Sequence, residues 1–189
     1  MITKEMKIPT NQQRLEAREK PDSPVVMRQD WNHLLFLHWE IDPQEIQASL
    51  PEGLFVDTFE GKAYLGLVPF FMEKVRPSYL PCVPGLSWFQ ELNLRTYVHD
   101  KQGRPGVWFF TLECNQWLAV KIARGLFHLP YNHANMSSRV EAEQMIYTSQ
   151  RQGEASEETF CYPETLSSPK EADTGSLEFF LLERYRLFS

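Results

Sequence analysis

Alternating apolar and polar positions predict a domain built mainly from antiparallel strands. A strand is predicted from Trp88 to Asp100, and the alternation is clearest within it from Glu91 to Val98, where Leu92, Leu94 and Val98 alternate with polar side chains, as expected for a strand whose two faces meet different surroundings. Lys101 to Gly106 contains two glycines and one proline, which is typical of a turn. Val107 to Glu113 is apolar enough to return as the partner strand. These segments predict a central hairpin.

Further strands are predicted on both sides of this hairpin. The aromatic and aliphatic run from Trp31 to Ile41 predicts a strand buried on both faces. Two more hairpins are predicted, one with its turn at Glu60-Gly61 and one with its turn at Ser137-Ser138. Their strands, followed by two further predicted strands, are Leu54 to Phe59, Lys62 to Val75, Tyr131 to Met136, Val140 to Arg151, Thr159 to Tyr162 and Leu177 to Phe188.

Two helices are predicted within the domain. Asp42 is a suitable N-cap, Pro43 suits the first helical position, and Leu50 to Gly53 ends the helix. Asn115 is a plausible cap for a second helix from Gln116 to Phe127, which Pro130 ends. Its apolar positions recur at helical spacing.

The first 26 residues are polar and contain many charges. We interpret 1–26 as a leader outside the core, with a short exposed helix from Asn11 to Arg18, and 27–189 as a single domain. About eight to ten strands with two helices favour a mainly antiparallel α+β fold, a β-barrel or a highly curved sheet. A chain of 189 residues suits one domain of this kind.

Composition and charge exclude several classes of partner. The net charge is −6 and lysines and arginines are scattered singly, whereas nucleic-acid binding needs clustered basic residues. No apolar run approaches a membrane span, and the N-terminus has no apolar signal segment. The three cysteines form no CxxC pair, so we expect free thiols and a cytoplasmic protein.

The strand from Glu91 to Val98 places four polar side chains on one face: Glu91, Asn93, Arg95 and Tyr97. The opposite face carries Leu92, Leu94, Thr96 and Val98. Alternation alone favours a solvent-facing polar side of an antiparallel sheet. The alternative is a polar row that lines the inside of a barrel and binds a ligand.

The other candidate functional sites in the sequence are supported by weaker signals. Lys121, Arg124 and His128 share one helix face, and the favoured interpretation is a solvated surface. The five histidines form no metal-binding motif, and Gly-rich phosphate loops and GxSxG are missing from the sequence. We therefore expect no metal and no cofactor.

From Trp31 onward the chain resembles the YqjF-like family of uncharacterised proteins. Six blocks in order carry this resemblance: Trp31 to Trp39, Leu50 to Leu54, Phe59 to Phe70, Glu91 to Val98, Leu129 to Tyr131 and Leu182 to Tyr185. That family is similar to the acetoacetate decarboxylase-like superfamily. The resemblance implies a closed or cone-shaped antiparallel β-barrel with a few outer helices and an interior pocket.

The resemblance also bears on the chemistry. It implies a lysine that forms a Schiff base with a β-keto acid, an adjacent lysine that lowers its pKa, and pocket glutamates, of which one corresponds to Glu91 and another falls near Gly66. Tyr131 and Asn132 stand where the lysine pair is expected. Neither side chain can form an imine, so decarboxylation through that position is excluded.

The resemblance further implies additional strands after the last predicted one, whereas this chain stops at Ser189. We therefore expect a barrel that is incomplete at its C-terminus, with an open edge. Three arrangements are open for that edge: a second subunit covers it, a loop covers it, or it stays uncovered. The first of these predicts a homo-oligomer.

Three functional hypotheses remain at this point. The first is a binding module for a small organic acid, in which Glu91, Asn93, Arg95 and Tyr97 supply polar contacts and Arg95 holds a carboxylate. The second is a lyase or isomerase acting on a keto or hydroxy acid, with Glu91 as the base and Tyr131 or Tyr97 as a hydrogen-bond donor. The third is a degenerate relative whose interior is filled by aromatic rings.

Overall fold

The structure is a computed structural model that describes residues 7–20, 22–165 and 170–189. These residues form four helices and ten strands. The helices are α1 (Asn11–Glu16), α2 (Pro43–Ser49), α3 (Trp117–Phe127) and α4 (Leu177–Leu182). The strands are β1 (Met27–Asn32), β2 (Leu37–Ile41), β3 (Leu54–Val56), β4 (Ala63–Pro77), β5 (Phe89–Asp100), β6 (Pro105–Cys114), β7 (Tyr131–Glu141), β8 (Gln144–Arg151), β9 (Glu158–Pro163) and β10 (Leu187–Phe188).

The strands form one curled sheet in the order β1-β4-β5-β6-β7-β8-β9. Most neighbours are antiparallel, but β6 pairs with β7, and also with β10, in parallel. Among the described residues β1 and β9 remain as two separate edges, so the sheet is an open half-barrel. The predicted mainly antiparallel architecture is confirmed, in an open and not a closed form.

The core has two sides, because β5 is covered on both faces. On one face, Tyr97 packs with Val107, Phe109 and Phe180 of α4. On the other face, Leu92 packs with β8 and β9 through Met145, Tyr147, Phe160 and Tyr162. We call the face that carries Tyr97 the inner face of the half-barrel.

The central hairpin of β5 and β6 forms as predicted, and α2 is capped by Asp42, whose side chain accepts a hydrogen bond of 2.8 Å from the Gln44 amide. The cap of α3 is Gln116 and not Asn115. Asn115 instead exchanges hydrogen bonds with Gln90, accepting from its amide at 2.9 Å and donating to its side chain at 3.2 Å.

The predicted strand from Trp31 to Ile41 is wrong in two respects. His33 adopts a left-handed φ of 52°, which breaks the segment into β1 and β2, and both pair with β4. Trp31 and Trp39 are about half exposed, so the segment is not buried on both faces. The aromatic content reflects an amphipathic edge and not a central strand.

Three other pairings differ from the sequence prediction. β3 pairs with β5 and not with β4, although Phe59 and Lys62 do form a bridge around the Glu60-Gly61 turn. The hairpin of β7 and β8 turns at Ala142 and Glu143, which both have positive φ, and not at Ser137-Ser138. The first half of the predicted strand from Leu177 to Phe188 is the helix α4, whose start the Ser176 side chain caps by accepting from the Phe179 amide at 3.1 Å; a strand, β10, forms only at its end.

The helix α1 forms within the segment expected to be a leader. Thr10 and Gln13 build a capping box at its start. Most of its side chains are exposed or half-buried, but Arg14 is buried against the domain. Across the described residues, a helix long and apolar enough to cross a membrane is not found.

Candidate functional site

The four polar side chains of β5 lie inside the protein. Glu91, Asn93, Arg95 and Tyr97 are only 4%, 4%, 6% and 0% exposed. The solvent-facing interpretation is therefore wrong. Alternation failed as a guide because both faces of β5 are covered. Phe180 of α4 packs against Tyr97 on the face of the polar row, and β8 and β9 bury the opposite face.

Glu91 lies at one end of the row and is paired with Tyr131, the first residue of β7. The Tyr131 hydroxyl donates a hydrogen bond of 2.8 Å to Oε2 of Glu91. Burial raises the pKa of the Glu91 carboxyl to about 7, and the hydrogen bond from Tyr131 opposes this rise. Burial, together with the neighbouring carboxylate, raises the pKa of Tyr131, so its hydroxyl remains a donor.

A second tyrosine fixes the backbone at the same position. Tyr147 of β8 donates a hydrogen bond of 2.9 Å to the carbonyl of Glu91. Cys114 lies opposite Glu91 on β6, and burial raises the pKa of its thiol to about 12. Glu91 is thus held in place by its neighbours, and its charge state is sensitive to pH near neutrality.

Arg95 lies in the middle of the inner face. Its guanidinium carbon is 5.3 Å from the ring centre of Phe36 and 5.7 Å from that of Tyr97. Among the described residues, no carboxylate oxygen lies within 4.0 Å of it, and its buried Nε has no hydrogen-bond partner. The charge therefore borders two aromatic rings and lacks a counter-ion among these residues.

Gly66 of β4 is paired with Arg95 and leaves room for it. A Cβ at position 66 would stand 3.3 Å from the His38 ring and 3.4 Å from Cγ of Arg95. The glycine thus allows a histidine from β2 and an arginine from β5 to share this space. The resemblance implied a pocket glutamate near this position, and the nearby His38 and Arg95 side chains explain why a larger side chain would be crowded here.

His38 completes the group around Arg95. Its Nε2 is 2.6 Å from the Tyr97 hydroxyl oxygen, and its ring stacks on Phe36 at 6.3 Å between centres. Burial, reinforced by the Arg95 charge, lowers the pKa of His38 to about 4. His38 is therefore neutral at pH 7 and adds no further positive charge.

Asn93 lies between Glu91 and Arg95. Its neighbours across the sheet are Val68 and Leu112, both buried and apolar. In the part of the chain that the structure describes, its Oδ1 has no hydrogen-bond partner. The inner face therefore carries two incompletely paired polar side chains, Asn93 and Arg95.

A buried ionic cluster lies beyond Tyr97. Arg14 of α1 makes two hydrogen bonds to the carboxylate of Asp57, at 2.6 and 2.8 Å. Arg184, which follows α4, places Nη2 3.0 Å from the same carboxylate and donates from Nε to the Phe180 carbonyl at 2.7 Å. One carboxylate thus serves two buried guanidinium groups.

The positions expected for the lysine pair have other contacts. Tyr131 faces Glu91, whereas the Asn132 amide donates to Thr111 Oγ1 at 3.0 Å and accepts from Arg124 at 3.0 Å. Lys121, Arg124 and His128 are exposed, as the solvated interpretation predicted. The Lys121 ammonium lies over the Trp117 ring at 4.7 Å, away from the inner face.

Two cavities of about 140 and 210 Å³ lie beside α1. Neither is lined by a residue of the Glu91–Tyr97 row. Arg14, Phe179 and Phe180 line the smaller cavity, and Gln13, Arg104 and Arg186 line the larger one.

Sequence reasoning missed His38, Asp57, Tyr147 and Arg184. His38 was considered only as a metal ligand, and its contact with Tyr97 depends on the register between β2 and β4. For Arg184 one sequence signal was available: it follows an apolar run and lies within a block that carries the family resemblance. No sequence signal marks Tyr147 or Asp57, because their hydrogen-bond partners, Glu91 and Arg14, are 56 and 43 residues away along the chain.

Comparison with known proteins identifies the family to which this sequence belongs. Residues 28–189 match the profile of the DUF2071 family, described as "Uncharacterized conserved protein". The chain is 41% identical over 169 residues to "Uncharacterized protein YqjF" of Bacillus subtilis (strain 168), and the match covers 89% of this chain and 69% of that protein.

Solved structures of similar fold are acetoacetate decarboxylase-like. The acetoacetate decarboxylase of Legionella pneumophila matches with a TM-score of 0.50 and 16% identity over 66% of this chain and 43% of that one. The enduracididine biosynthesis enzyme MppR, complexed with pyruvate, matches with a TM-score of 0.51 and 14% identity over 69% of this chain and 54% of that one. This chain spans about half the length of these proteins, and at such identity the likeness concerns the fold.

Proposed function

Because this chain belongs to the DUF2071 family of uncharacterised conserved proteins and has an acetoacetate decarboxylase-like fold, we propose that its half-barrel binds a small organic carboxylate. In this proposal Arg95 pairs with the carboxylate on the inner face. Asn93 and Tyr97 supply further polar contacts, and Glu91 lies at the other end of the ligand.

The single observation that carries the proposal is the isolated charge of Arg95. A guanidinium cannot give up its proton near neutral pH, and an unpaired buried charge costs several kcal/mol of desolvation. The rings of Phe36 and Tyr97 offset part of this cost, on the order of 1–2 kcal/mol each. A bound carboxylate would offset more, since it forms two parallel hydrogen bonds with a guanidinium.

The surroundings of Arg95 support an organic and not an inorganic anion. The half-buried Phe36 and the buried Val68, Phe109 and Leu112 form an apolar environment around the row. Binding sites for small molecules typically combine such a lining with a few polar groups. One protein of similar fold is described as complexed with pyruvate, a ligand of this chemical class.

Calorimetric titration of the purified protein with butyrate, pyruvate and acetoacetate tests this proposal, and butyramide serves as a neutral analogue of butyrate. We expect at least one carboxylate to bind and butyramide not to. Arg95→Met should abolish binding while the melting temperature stays the same or rises, because the substitution removes an uncompensated buried charge.

The matched control is Arg139→Met, which removes an exposed arginine paired with an exposed Glu141. This variant should bind as the wild type does. Equal affinities of the wild type and a folded Arg95→Met would overturn the proposed contact. If none of the carboxylates binds the wild type, the hypothesis of a degenerate relative with a filled interior gains support instead.

A second function, acid–base chemistry on the bound acid, is favoured by the Glu91–Tyr131 pair. A carboxyl whose pKa is near 7 is matched to proton transfer at neutral pH. The experiment is proton exchange at the carbon next to a carbonyl of pyruvate in D₂O, followed by NMR. Exchange that Glu91→Gln abolishes supports this function. Exchange no faster than in buffer contradicts it and leaves the binding proposal in place.

A further inference from the structure

The strand β1 (Met27–Asn32) forms one edge of the sheet and is open on its outer side. It pairs with β4, and in the part of the chain that the structure describes no other strand pairs with it. All of its residues are exposed except Asn32, which is half-buried. An edge strand presents backbone N–H and C=O groups without partners, so it can add a strand from another chain.

The charges of β1 are poorly balanced by the neighbouring strand. Arg28 stands opposite Arg76, and like charges in directly opposite positions are unfavourable. Asp30 stands opposite Glu73, although Lys74 compensates Asp30 at 2.7 Å. Among the described residues, no carboxylate oxygen lies within 4.0 Å of the Arg28 side chain. Arg28 therefore lacks a negative partner among these residues.

The side chains of β1 alternate regularly, although its pairing with β4 contains a bulge. Between Arg28 and Asp30, three steps along β4 correspond to two along β1, so the extra residue lies in β4. No residue of β1 has a positive φ. One face of β1 therefore carries Arg28 and Asp30, and the other carries Met27, Gln29 and Trp31.

We propose that β1 pairs with β1 of a second copy of this chain, antiparallel about a two-fold axis at Gln29. In this register Arg28 of each copy stands opposite Asp30 of the other, so each arginine gains the negative partner that it lacks. On the other face Met27 stands opposite Trp31. These two side chains are 43% and 48% exposed, and a methionine sulfur beside an aromatic ring is a favourable contact. The strand is thus complementary to itself, as a two-fold interface requires.

The opposite edge of the sheet does not match a second copy in this way. It is formed by β9 (Glu158–Pro163). Residues 152–165, which include this strand, contain four glutamates and no lysine or arginine. Two copies that paired there would bring carboxylates together, and carboxylates and a proline are features that keep edge strands apart. Charge complementarity therefore favours β1 as the contact.

The first experiment measures self-association of the wild type and of charge-reversal variants by sedimentation equilibrium. The wild type should show a monomer–dimer equilibrium between about 1 and 200 μM. Arg28→Asp and Asp30→Arg each place like charges across the two-fold axis and should weaken dimerisation at least about tenfold. The double variant Arg28→Asp/Asp30→Arg restores opposite charges across the axis and should dimerise as the wild type does.

These variants should remain folded, because neither substitution adds a like charge across the sheet. Within the chain Arg28→Asp places a carboxylate opposite Arg76, and Asp30→Arg places a guanidinium opposite Glu73. Thermal melts followed by circular dichroism check this expectation. Arg139→Asp changes the net charge by as much as Arg28→Asp at an exposed position of β7, and it should leave dimerisation unchanged.

The second experiment tests the register by disulfide cross-linking in a Cys161→Ser background, because the Cys161 thiol is exposed. Gln29→Cys places two thiols directly opposite each other, where Cα atoms about 4.5–5.5 Å apart suit a disulfide. Met27→Cys is the matched control, because its two copies are offset by roughly 14 Å along the strands. Under mild oxidation Gln29→Cys should give a covalent dimer, and Met27→Cys and the Cys161→Ser background should not.

Three results would overturn the proposal. A wild type that stays monomeric over the whole concentration range would show that β1 does not join two copies. If Arg28→Asp and Asp30→Arg leave dimerisation unchanged, or the double variant fails to restore it in folded protein, the contact lies elsewhere on the surface. Equal cross-linking of Gln29→Cys and Met27→Cys would contradict the proposed register.

Discussion

The hydroxyl of Tyr131 donates a 2.8 Å hydrogen bond to the carboxylate of Glu91, although the two residues are 40 positions apart in the chain. α3 makes this contact possible, because it carries the chain back so that β7 runs parallel to β6. Tyr131 then stands beside Leu112, and Glu91 beside Cys114. The bond joins the two halves of the sheet across the inner face.

Tyr131→Phe removes this hydrogen bond and keeps the ring. Since the bond favours the charged form of Glu91, its loss should raise the pKa of the carboxyl further. We expect a loss of about 1–3 kcal/mol in the free energy of unfolding at pH 9, where Glu91 is ionised, and a smaller loss at pH 5. Urea unfolding at both pH values measures this difference.

Tyr185→Phe is the matched control for that experiment. Its hydroxyl makes the same bond of 2.8 Å to a glutamate, Glu183, but at an exposed position. Its removal should change the free energy of unfolding by less than about 0.5 kcal/mol at either pH. Equal losses for the two variants would mean that burial of Glu91 does not strengthen its bond with Tyr131.

Asp57→Asn should be strongly destabilising. Asp57 is the one carboxylate shared by Arg14 and Arg184, and its removal leaves two buried cations unpaired. We expect a loss of roughly 3–5 kcal/mol in the free energy of unfolding. Asp30→Asn, which breaks the exposed pair with Lys74, should cost less than about 1 kcal/mol. Chemical denaturation of both variants makes the comparison, and similar small losses would contradict the cluster's structural role.

Gly106→Ala tests how closely β10 lies against β6. A Cβ at position 106 would stand 2.6 Å from the Phe188 ring and 2.7 Å from the Arg186 carbonyl, so β10 would have to move. We expect a loss of about 1–3 kcal/mol in unfolding free energy. Gly125→Ala, at an exposed helical position with open space around it, should instead stabilise by up to about 1 kcal/mol. A neutral Gly106→Ala in thermal melts would show that β10 does not dock there.

The sequence was informative where one local signal decides the structure. Asp42 with Pro43 predicted the start of α2, and the turn after Asp100 predicted the central hairpin; both are confirmed. Leu177 to Leu182 was ambiguous, because a short apolar run fits a strand or a helix equally well. The hydroxyl of Ser176 favours the helix, because it caps the first turn by accepting from the Phe179 amide.

The candidate site was predictable only in part. Alternation placed Glu91 and Arg95 on one face, and the structure agrees, but the choice between solvent and interior depended on what covers the sheet. That cover comes from α4, β8 and β9, which follow β5 in the chain. The approach of His38 to Arg95 depends on the break at His33 and on the space left by Gly66, neither of which periodicity can reveal.

Glu91 and His38 should have opposite effects on the pH dependence of stability. The pKa of Glu91 rises from 4.5 to about 7 on folding, so between these values the folded state binds more protons than the unfolded state and stability falls as pH rises. The pKa of His38 falls from 6.5 to about 4, so stability rises with pH between 4 and 6.5. Each slope is up to about 1.4 kcal/mol per pH unit.

In the wild type these two slopes oppose each other between pH 4.5 and 6.5, and each variant should reveal the slope of the residue that remains. Glu91→Gln keeps an acceptor for Tyr131 and leaves His38, so its free energy of unfolding should increase from pH 4.5 to 6.5 relative to the wild type. His38→Gln leaves Glu91, so its free energy of unfolding should decrease over the same range. Urea titrations at half-unit pH steps measure both, with Glu141→Gln, an exposed carboxylate, as the control that should follow the wild type. Parallel curves for all four proteins would mean that neither buried group changes its pKa on folding, and the electrostatic description of the inner face would be wrong.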